Sequence, residues 1–265
     1  MRLTNEQIRS FKTRGYLAVP HFFNVQETEA LQAETERLKQ FGLLVNVVTE
    51  GQAQNLSIDP LDGRSTLIRA LPFEPKVAEA VGQLIGEPFI LHRDQIFLKP
   101  ARHGMGTAWH QDNYYFKINE VTRGTAMWVA VHEATVENGT MFVVPDLFKE
   151  PLEHLPDTKT SHLYRCFPPE DRALPIELPA GGAVFFNYGV PHCTKQNNTD
   201  KERAGLAFHF IHLDCKREAA LIGAETRHPI IRGPGASGGE IEFGKRVAGT
   251  FAQEVEKLQI TVGNL

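Results

Sequence analysis

Cysteine is scarce in this sequence: Cys166, Cys193 and Cys215 are the only three, widely spaced and without a CxxC pair. That excludes a disulfide scaffold and a zinc knuckle, and three thiols in such spacing suit a reducing cytoplasm. No run of Lys or Arg is present and the net charge is −4, so nucleic acid and anionic membrane are poor partners. No stretch approaches the ~18–20 apolar residues of a membrane span. The opening MRLTNEQIRSFKTRG lacks the apolar centre of a secretion signal. The closing ITVGNL is neither a prenylation box nor a peroxisomal tripeptide. Repeats, low-complexity tracts and Pro/Ser linkers are also missing, which favours one domain over 1–265. A cytoplasmic protein acting on a small molecule is the expectation, and its oligomeric state is not written in these features.

What is present is ordinary globular material, 42% hydrophobic and 23% charged, enough for a sizeable core. Residues 1–87 read as a mostly helical flank. Thr4 with Gln7 makes a capping box for a helix ending at Gly15. Asn24 with Glu27 opens a second helix, with Leu31, Leu38 and Phe41 as its apolar stripe before Gly42. A third helix is predicted from Pro75 to Ile85, closed by Gly86. The polar stretch Asn46 to Arg64 reads as a lid or a surface loop.

From Pro88 to Leu213 the texture changes. FILHRDQIFLKP, AWHQDNYYF, TAMWVAVHEA, GTMFVVP, GGAVFFNYG and RAGLAFHFIHL are short, β-branched and aromatic, and bounded by Gly, Pro or Asn. Consecutive strands of this kind predict a mainly β fold, a double-stranded β-helix (jelly-roll, cupin-like) core with flanking helices. Five prolines (Pro151, Pro156, Pro168, Pro169, Pro175) make the segment between Asp146 and Pro179 irregular. Residues 214–265 read as a Gly-rich loop, IIRGPGASGGE, followed by a short amphipathic helix from Ala252 to Leu258.

Eleven histidines are present, so company matters more than any one of them. In the predicted strand AWHQDNYYF, His110 and Asp112 are two apart and share a face, while Gln111 points away. One imidazole beside one carboxylate is the pair used by the 2-His-1-carboxylate facial triad of non-haem iron. Such a triad leaves open positions for a chelating 2-oxo acid and for dioxygen. His192, between the apolar strand GGAVFFNYG and the polar turn Gln196-Asn197-Asn198-Thr199, is the candidate third ligand. A reversal centred between Asn197 and Asn198 would make Arg203 its direct cross-strand neighbour. A guanidinium there could grip the distal carboxylate of 2-oxoglutarate through paired charge-assisted hydrogen bonds. Gly205 would leave room on the same face. Asn113, Tyr114, Tyr115 and Phe116 follow the metal pair and could line the substrate side, or serve equally as core. Two other classes stay open: a cupin-like isomerase or lyase using zinc or manganese, and a non-catalytic jelly-roll binding protein. The first would not need Arg203; the second would bind ligand without turning over 2-oxoglutarate.

WHQDNYYF, TAMWVAVHEATVENGTMFVVP and VPHCTKQNNTDKERAGLAFHF, in that order, resemble the phytanoyl-CoA dioxygenase family of iron(II)/2-oxoglutarate oxygenases. The resemblance runs from about Pro88 to Leu213. It implies that His110, Asp112 and His192 bind iron(II) and that Arg203 binds the C5 carboxylate of 2-oxoglutarate, with dioxygen as oxidant. It further implies that Thr194 supports that carboxylate, that Trp128 walls the co-substrate pocket, and that Lys99 and Gln95 lie near the co-substrate. The implied reaction is hydroxylation of a small molecule coupled to decarboxylation of 2-oxoglutarate to succinate and carbon dioxide. One departure stands out: the family often has Pro-Gly-Ser-His where this chain has Pro145-Asp146-Leu147-Phe148, beside the substrate pocket. Asp112 itself argues against halogenation, for which a small residue replaces the metal carboxylate.

Overall fold

Local hydrogen bonds start the helical layer where the sequence predicts. The computed structural model describes residues 2–43, 45–49, 52–58, 64–160, 163–215, 228–240 and 250–262. Helix α1 (Asn5–Arg14) is capped reciprocally by Thr4 and Gln7 and stops on Gly15 at a left-handed φ of 87°. Helix α2 (Val25–Gln40) is capped the same way by Asn24 and Glu27. Leu31 and Leu38 are fully buried, but Phe41 is 71% exposed. That corrects the predicted stripe: the helix ends at Gln40, and Phe41, no longer helical, swings off the buried face. Helices α3 (Thr66–Ala70) and α4 (Pro75–Ile85) follow, then a single turn, α5 (Asn113–Phe116). The last helix, α6 (Thr250–Val262), extends beyond the predicted Ala252 to Leu258. Among the described residues no helix is long and apolar enough to cross a membrane.

The strands are β1 (Tyr16–Val19), β2 (Val45–Thr49), β3 (Gln52–Ile58), β4 (Phe89–Lys99), β5 (Thr107–His110), β6 (Gly124–Ala130) and β7 (Met141–Val143). After these come β8 (Leu155–Pro156), β9 (Tyr164–Arg165), β10 (Leu174–Ile176), β11 (Ala183–Asn187), β12 (His192–Thr194), β13 (Arg203–His212) and β14 (Ile230–Arg232). The larger sheet runs β1-β11-β6-β13-β4-β3-β2, with β14 also on β4; the smaller runs β10-β7-β12-β5. Their inner faces meet in one apolar cluster, with Trp128, Val184, Phe186 and Ala207 from the larger sheet and Met141, Val143 and Ile176 from the smaller. Alternation then sends Val129, Phe185, Leu206, Phe208 and Phe210 to the outer face, against Phe11, Leu31, Leu38, Val77 and Phe251 of the helices. This is the predicted jelly-roll core with helices on one side.

Three readings change. The stretch from Asn46 to Arg64 supplies two strands instead of a loop: β2 and β3 pair with each other, and β3 with the edge of β4. Residues 50–51 and 59–63 of it lie outside the described residues. Strand β5 ends at His110, and the backbone at Asp112 is helical (φ −56°, ψ −33°), so the predicted strand AWHQDNYYF breaks halfway. Finally, β12 and β13 are not a hairpin. β12 pairs with β5 and β7 in the smaller sheet, while β13 pairs with β4 and β6 in the larger. The turn between them is anchored by Asn197, fully buried, whose amide donates to the carbonyls of Lys99, Pro100 and Lys201.

Candidate functional site

His192 faces His110 across the β12–β5 pair, and the turn after β5 brings the Asp112 carboxylate to the same spot. Asp112 Oδ1 is 3.6 Å from His110 Nε2 and 3.7 Å from His192 Nε2. All three side chains are buried, and their ligating atoms lie within 4.8 Å of one another. Each imidazole is oriented by its own chain. His110 Nδ1 is 2.9 Å from the carbonyl of Ala108, and His192 Nδ1 is 3.0 Å from that of Val190. A carbonyl only accepts, so both ring protons sit on Nδ1 and both Nε2 lone pairs face inward. Two Nε2 lone pairs and Asp112 Oδ1 thus converge with no proton between them, an arrangement that a cation at the centre would satisfy.

Electrostatics agrees with that geometry. Burial and the neighbouring His110 hold the His192 imidazole down at about 4, against the pull of Asp112, so it is neutral and able to ligate at pH 7. Burial is the largest influence on Asp112 and would raise it. The three imidazoles of His192, His110 and His209 outweigh it and keep the carboxyl below the usual carboxylate range. Two imidazole nitrogens and one carboxylate fit a divalent iron, nickel or zinc ion far better than magnesium or calcium.

Beside the triad lies a buried cationic recess. Lys99 and Arg203 are 2% and 1% exposed and directly opposite on β4 and β13. Lys99 Nζ donates to Thr194 Oγ1 at 2.8 Å and to the Lys195 carbonyl. Thr194 Oγ1 is also held by Thr107. The Arg203 guanidinium lies 5.3 Å from the Trp128 ring centroid and donates to the Gly139 carbonyl. Its Nε is buried with no hydrogen bond. Burial, then Arg203, pushes Lys99 well below an ordinary lysine, and burial lowers Arg203 to about 10. Two buried cations with an unspent N–H, and no carboxylate paired with either among the described residues, make a receptor for an anion.

The structure thus brings together His110, Asp112 and His192, and gathers Arg203, Lys99, Thr194 and Trp128 in one recess. The predicted route differs: Arg203 reaches the site from the opposite sheet, not as a cross-strand neighbour of His192. The room at Gly205 is taken by Trp128, since a Cβ there would sit 2.4 Å from the indole. Gln95 is placed against His209, 3.3 Å between Nε2 atoms, away from the Lys99–Thr194 contact. Tyr115 and Phe116 flank the centre, with ring centroids 6.1 Å from His110 and 5.0 Å from His209 respectively. Asn113 spends its amide on both backbone groups of Ile118. Tyr114 stacks on His154 at 4.2 Å. Pro145–Phe148 packs toward the end of α1: the Asp146 N–H donates to the Arg14 carbonyl and Phe148 is buried.

Sequence reasoning missed His209, whose Nδ1 is 3.7 Å from Asp112 Oδ2. It is hidden in the apolar run RAGLAFHF. The available signal was parity, because 203, 205, 207 and 209 share one strand face.

Comparison with known proteins fits this geometry. The family model described as Phytanoyl-CoA dioxygenase (PhyH) matches residues 11–205. A methylphosphonate hydroxylase of Gimesia maris is 30% identical over 212 residues, covering 77% of this chain and 79% of that protein. Among solved structures, the non-haem alpha-ketoglutarate-dependent carbocyclase SnoK from nogalamycin biosynthesis superposes with TM-score 0.69 at 21% identity, covering 81% and 86% of the two chains. EctD from S. alaskensis, solved with 2-oxoglutarate and 5-hydroxyectoine, gives TM-score 0.66 at 20% identity, covering 82% and 78%. Spanning most of the chain, with the triad in place, the match has one meaning: this protein belongs to the phytanoyl-CoA dioxygenase family of iron(II)/2-oxoglutarate oxygenases.

Proposed function

We propose that the chain hydroxylates a small molecule, using 2-oxoglutarate and dioxygen at an iron(II) centre held by His110, Asp112 and His192. The observation that carries this reading is the adjacency of two things: inward-facing Nε2 atoms converging on one carboxylate oxygen, and a recess with two buried cations. When bound, iron(II) with 2-oxoglutarate and dioxygen would supply an oxidant able to attack an unactivated C–H bond, the 2-oxo acid giving two electrons and leaving as succinate and carbon dioxide.

The residues of the chain do the rest. Arg203 and Lys99 neutralise the distal carboxylate, and the Arg203 fork fixes its direction. Thr194, held by Thr107 on the opposite strand, offers that carboxylate a hydroxyl. Trp128 covers the guanidinium and keeps water from it. Tyr115 and Phe116 stand at the side where a substrate would approach. Relatives are named for methylphosphonate, for ectoine and for phytanoyl-CoA; the higher identity, 30% against 22%, is to the first, and this supports a small polar substrate over a CoA ester. A cupin-like isomerase or lyase would have no use for two buried cations beside its metal, so the recess disfavours that alternative.

The test is anaerobic reconstitution with iron(II) and 2-oxoglutarate. A weak metal-to-ligand charge-transfer band in the visible is expected. Asp112→Ala and His192→Ala should abolish it, and Arg203→Ala should demand far more 2-oxoglutarate to produce it. Ligand binding with no band and no succinate release would leave a non-catalytic jelly roll as the better reading.

A further inference from the structure

His209 is not one of the three clustered ligands, yet it lies in the same buried chamber. It sits on β13, opposite Arg93 on one side and Ala126 on the other, and it is 4% exposed. The Phe116 ring packs edge-on against it at 5.0 Å, and Tyr188 lies at 5.9 Å. Its two ring nitrogens face different partners. Nε2 is 3.3 Å from Gln95 Nε2, and Nδ1 is 3.7 Å from Asp112 Oδ2.

The chemistry of those partners fixes a direction along the row. An amide nitrogen only donates, so His209 Nε2 must accept from Gln95. The ring proton is thereby placed on Nδ1, the atom turned toward Asp112. Asp112 divides its oxygens: Oδ1 faces the Nε2 atoms of His110 and His192, and Oδ2 faces His209. A small rotation of either side chain turns the 3.7 Å approach into a hydrogen bond.

We propose that His209 is a positioning residue for the metal carboxylate, with Gln95 setting its tautomer. It engages Asp112 Oδ2 and so leaves Oδ1 as the only oxygen offered to the metal. The consequence follows from counting. A facial triad of three single-atom ligands leaves three positions of an octahedron, enough for a chelating 2-oxo acid and dioxygen together. A carboxylate binding through both oxygens would close one of them. His209 thus preserves an open coordination position. This gives Gln95 a different task from lining the co-substrate, and it rests on the proposed iron(II)/2-oxoglutarate chemistry.

The test compares wild type with His209→Leu, His209→Asn and Gln95→Leu, each checked for folding by circular dichroism. Cobalt(II) and anaerobic iron(II) titrations give metal affinity, and the visible band gives the dissociation constant for 2-oxoglutarate. His209→Leu should weaken metal binding about tenfold to a hundredfold, the usual effect of losing such an orienting partner. It should also weaken 2-oxoglutarate binding to the loaded protein. His209→Asn, whose amide N–H falls near the lost Nδ1–H, should recover most of both, and Gln95→Leu should move them the same way by less. If His209→Leu does not fold, the same comparison is made between Gln95→Leu and wild type. Wild-type affinities in the leucine variants would overturn the proposal. So would a folded His209→Asn no better than His209→Leu, and so would metal loss as complete as in Asp112→Ala, which would make His209 a ligand. Wild-type protein that binds metal but never gives the band would sink the proposed function instead, while the metal affinities still judge His209.

Discussion

Lys99 and Arg203 stand opposite one another on adjacent antiparallel strands, both cationic residues and both sealed from water. Beyond their hydrogen bonds to neighbours, the two charges offer folding no attraction for each other. Burial costs each its hydration, and their like charge adds repulsion. An arrangement kept against its own stability points to a ligand. Lys99→Met should therefore make the ligand-free protein more resistant to urea, by about 1 kcal/mol or more, while raising the dissociation constant for 2-oxoglutarate at least tenfold. A variant that is less stable yet binds 2-oxoglutarate normally would contradict this account of the recess.

Gly205 decides where Trp128 lies. A Cβ at that position would fall 2.4 to 2.7 Å from three indole atoms, and the indole is itself enclosed by the inner apolar cluster. Gly205→Ala should cost about 1–3 kcal/mol through overpacking and tilt the ring away from Arg203. Its affinity for 2-oxoglutarate should drop although no polar contact is deleted. Thermal unfolding and the charge-transfer titration together check this, and an unchanged melting temperature would show that the ring has somewhere else to go.

Much of this was legible in the sequence, and the exceptions have physical reasons. The caps Thr4–Gln7 and Asn24–Glu27 are local hydrogen-bond devices, so four residues suffice to read them. The metal triad was legible because its donors are chemically distinctive. The path to it was not. Strand alternation was expected to pair His110 with Asp112, but the chain leaves the strand after His110, and one backbone step into the helical region is invisible to hydrophobic pattern. The turn after His192 looked like a hairpin because Asn and Thr dominate it. In fact buried Asn197 ties it to the end of β4, a contact about a hundred residues distant that carries the chain from one sheet to the other. His209 was overlooked because a histidine within an apolar strand looks like filler until its neighbours across the chamber are known.

Acid should expose the strain of keeping His192 neutral. Its folded value of about 4 lies below the ordinary 6.5 of an unfolded histidine, so the folded state declines a proton that the unfolded chain accepts. Above pH 6.5 both states are neutral and the group adds no pH dependence. Between 6.5 and about 4 the unfolded chain is favoured as protons bind it, and the metal-free protein loses stability. At pH 5 the loss from this one side chain is about 2 kcal/mol. Urea unfolding of metal-free wild type and His192→Gln at pH 7.5 and pH 5 should show a smaller acid penalty in the variant. Equal penalties would mean that other groups carry the acid sensitivity.

Gln111, between two metal ligands in sequence, turns its side chain away from them and does a different job. Its Nε2 donates to the carbonyls of Gly189 at 2.6 Å and Glu150 at 3.0 Å, and its Oε1 accepts from the Leu152 N–H at 2.8 Å. It therefore binds the turn carrying Asp112 to the segment just before His192 and to the outer loop at 150–152. Leucine fills nearly the same volume but leaves up to three backbone groups without partners, each worth about 1–3 kcal/mol where water cannot reach. Gln111→Leu should destabilise the protein by about 2–4 kcal/mol and loosen the spacing between Asp112 and His192, so metal affinity should fall although every ligand is present. Calorimetry with and without cobalt(II) separates the two effects. A large stability loss with unchanged metal affinity would mean that the triad is held by the β5–β12 pairing alone.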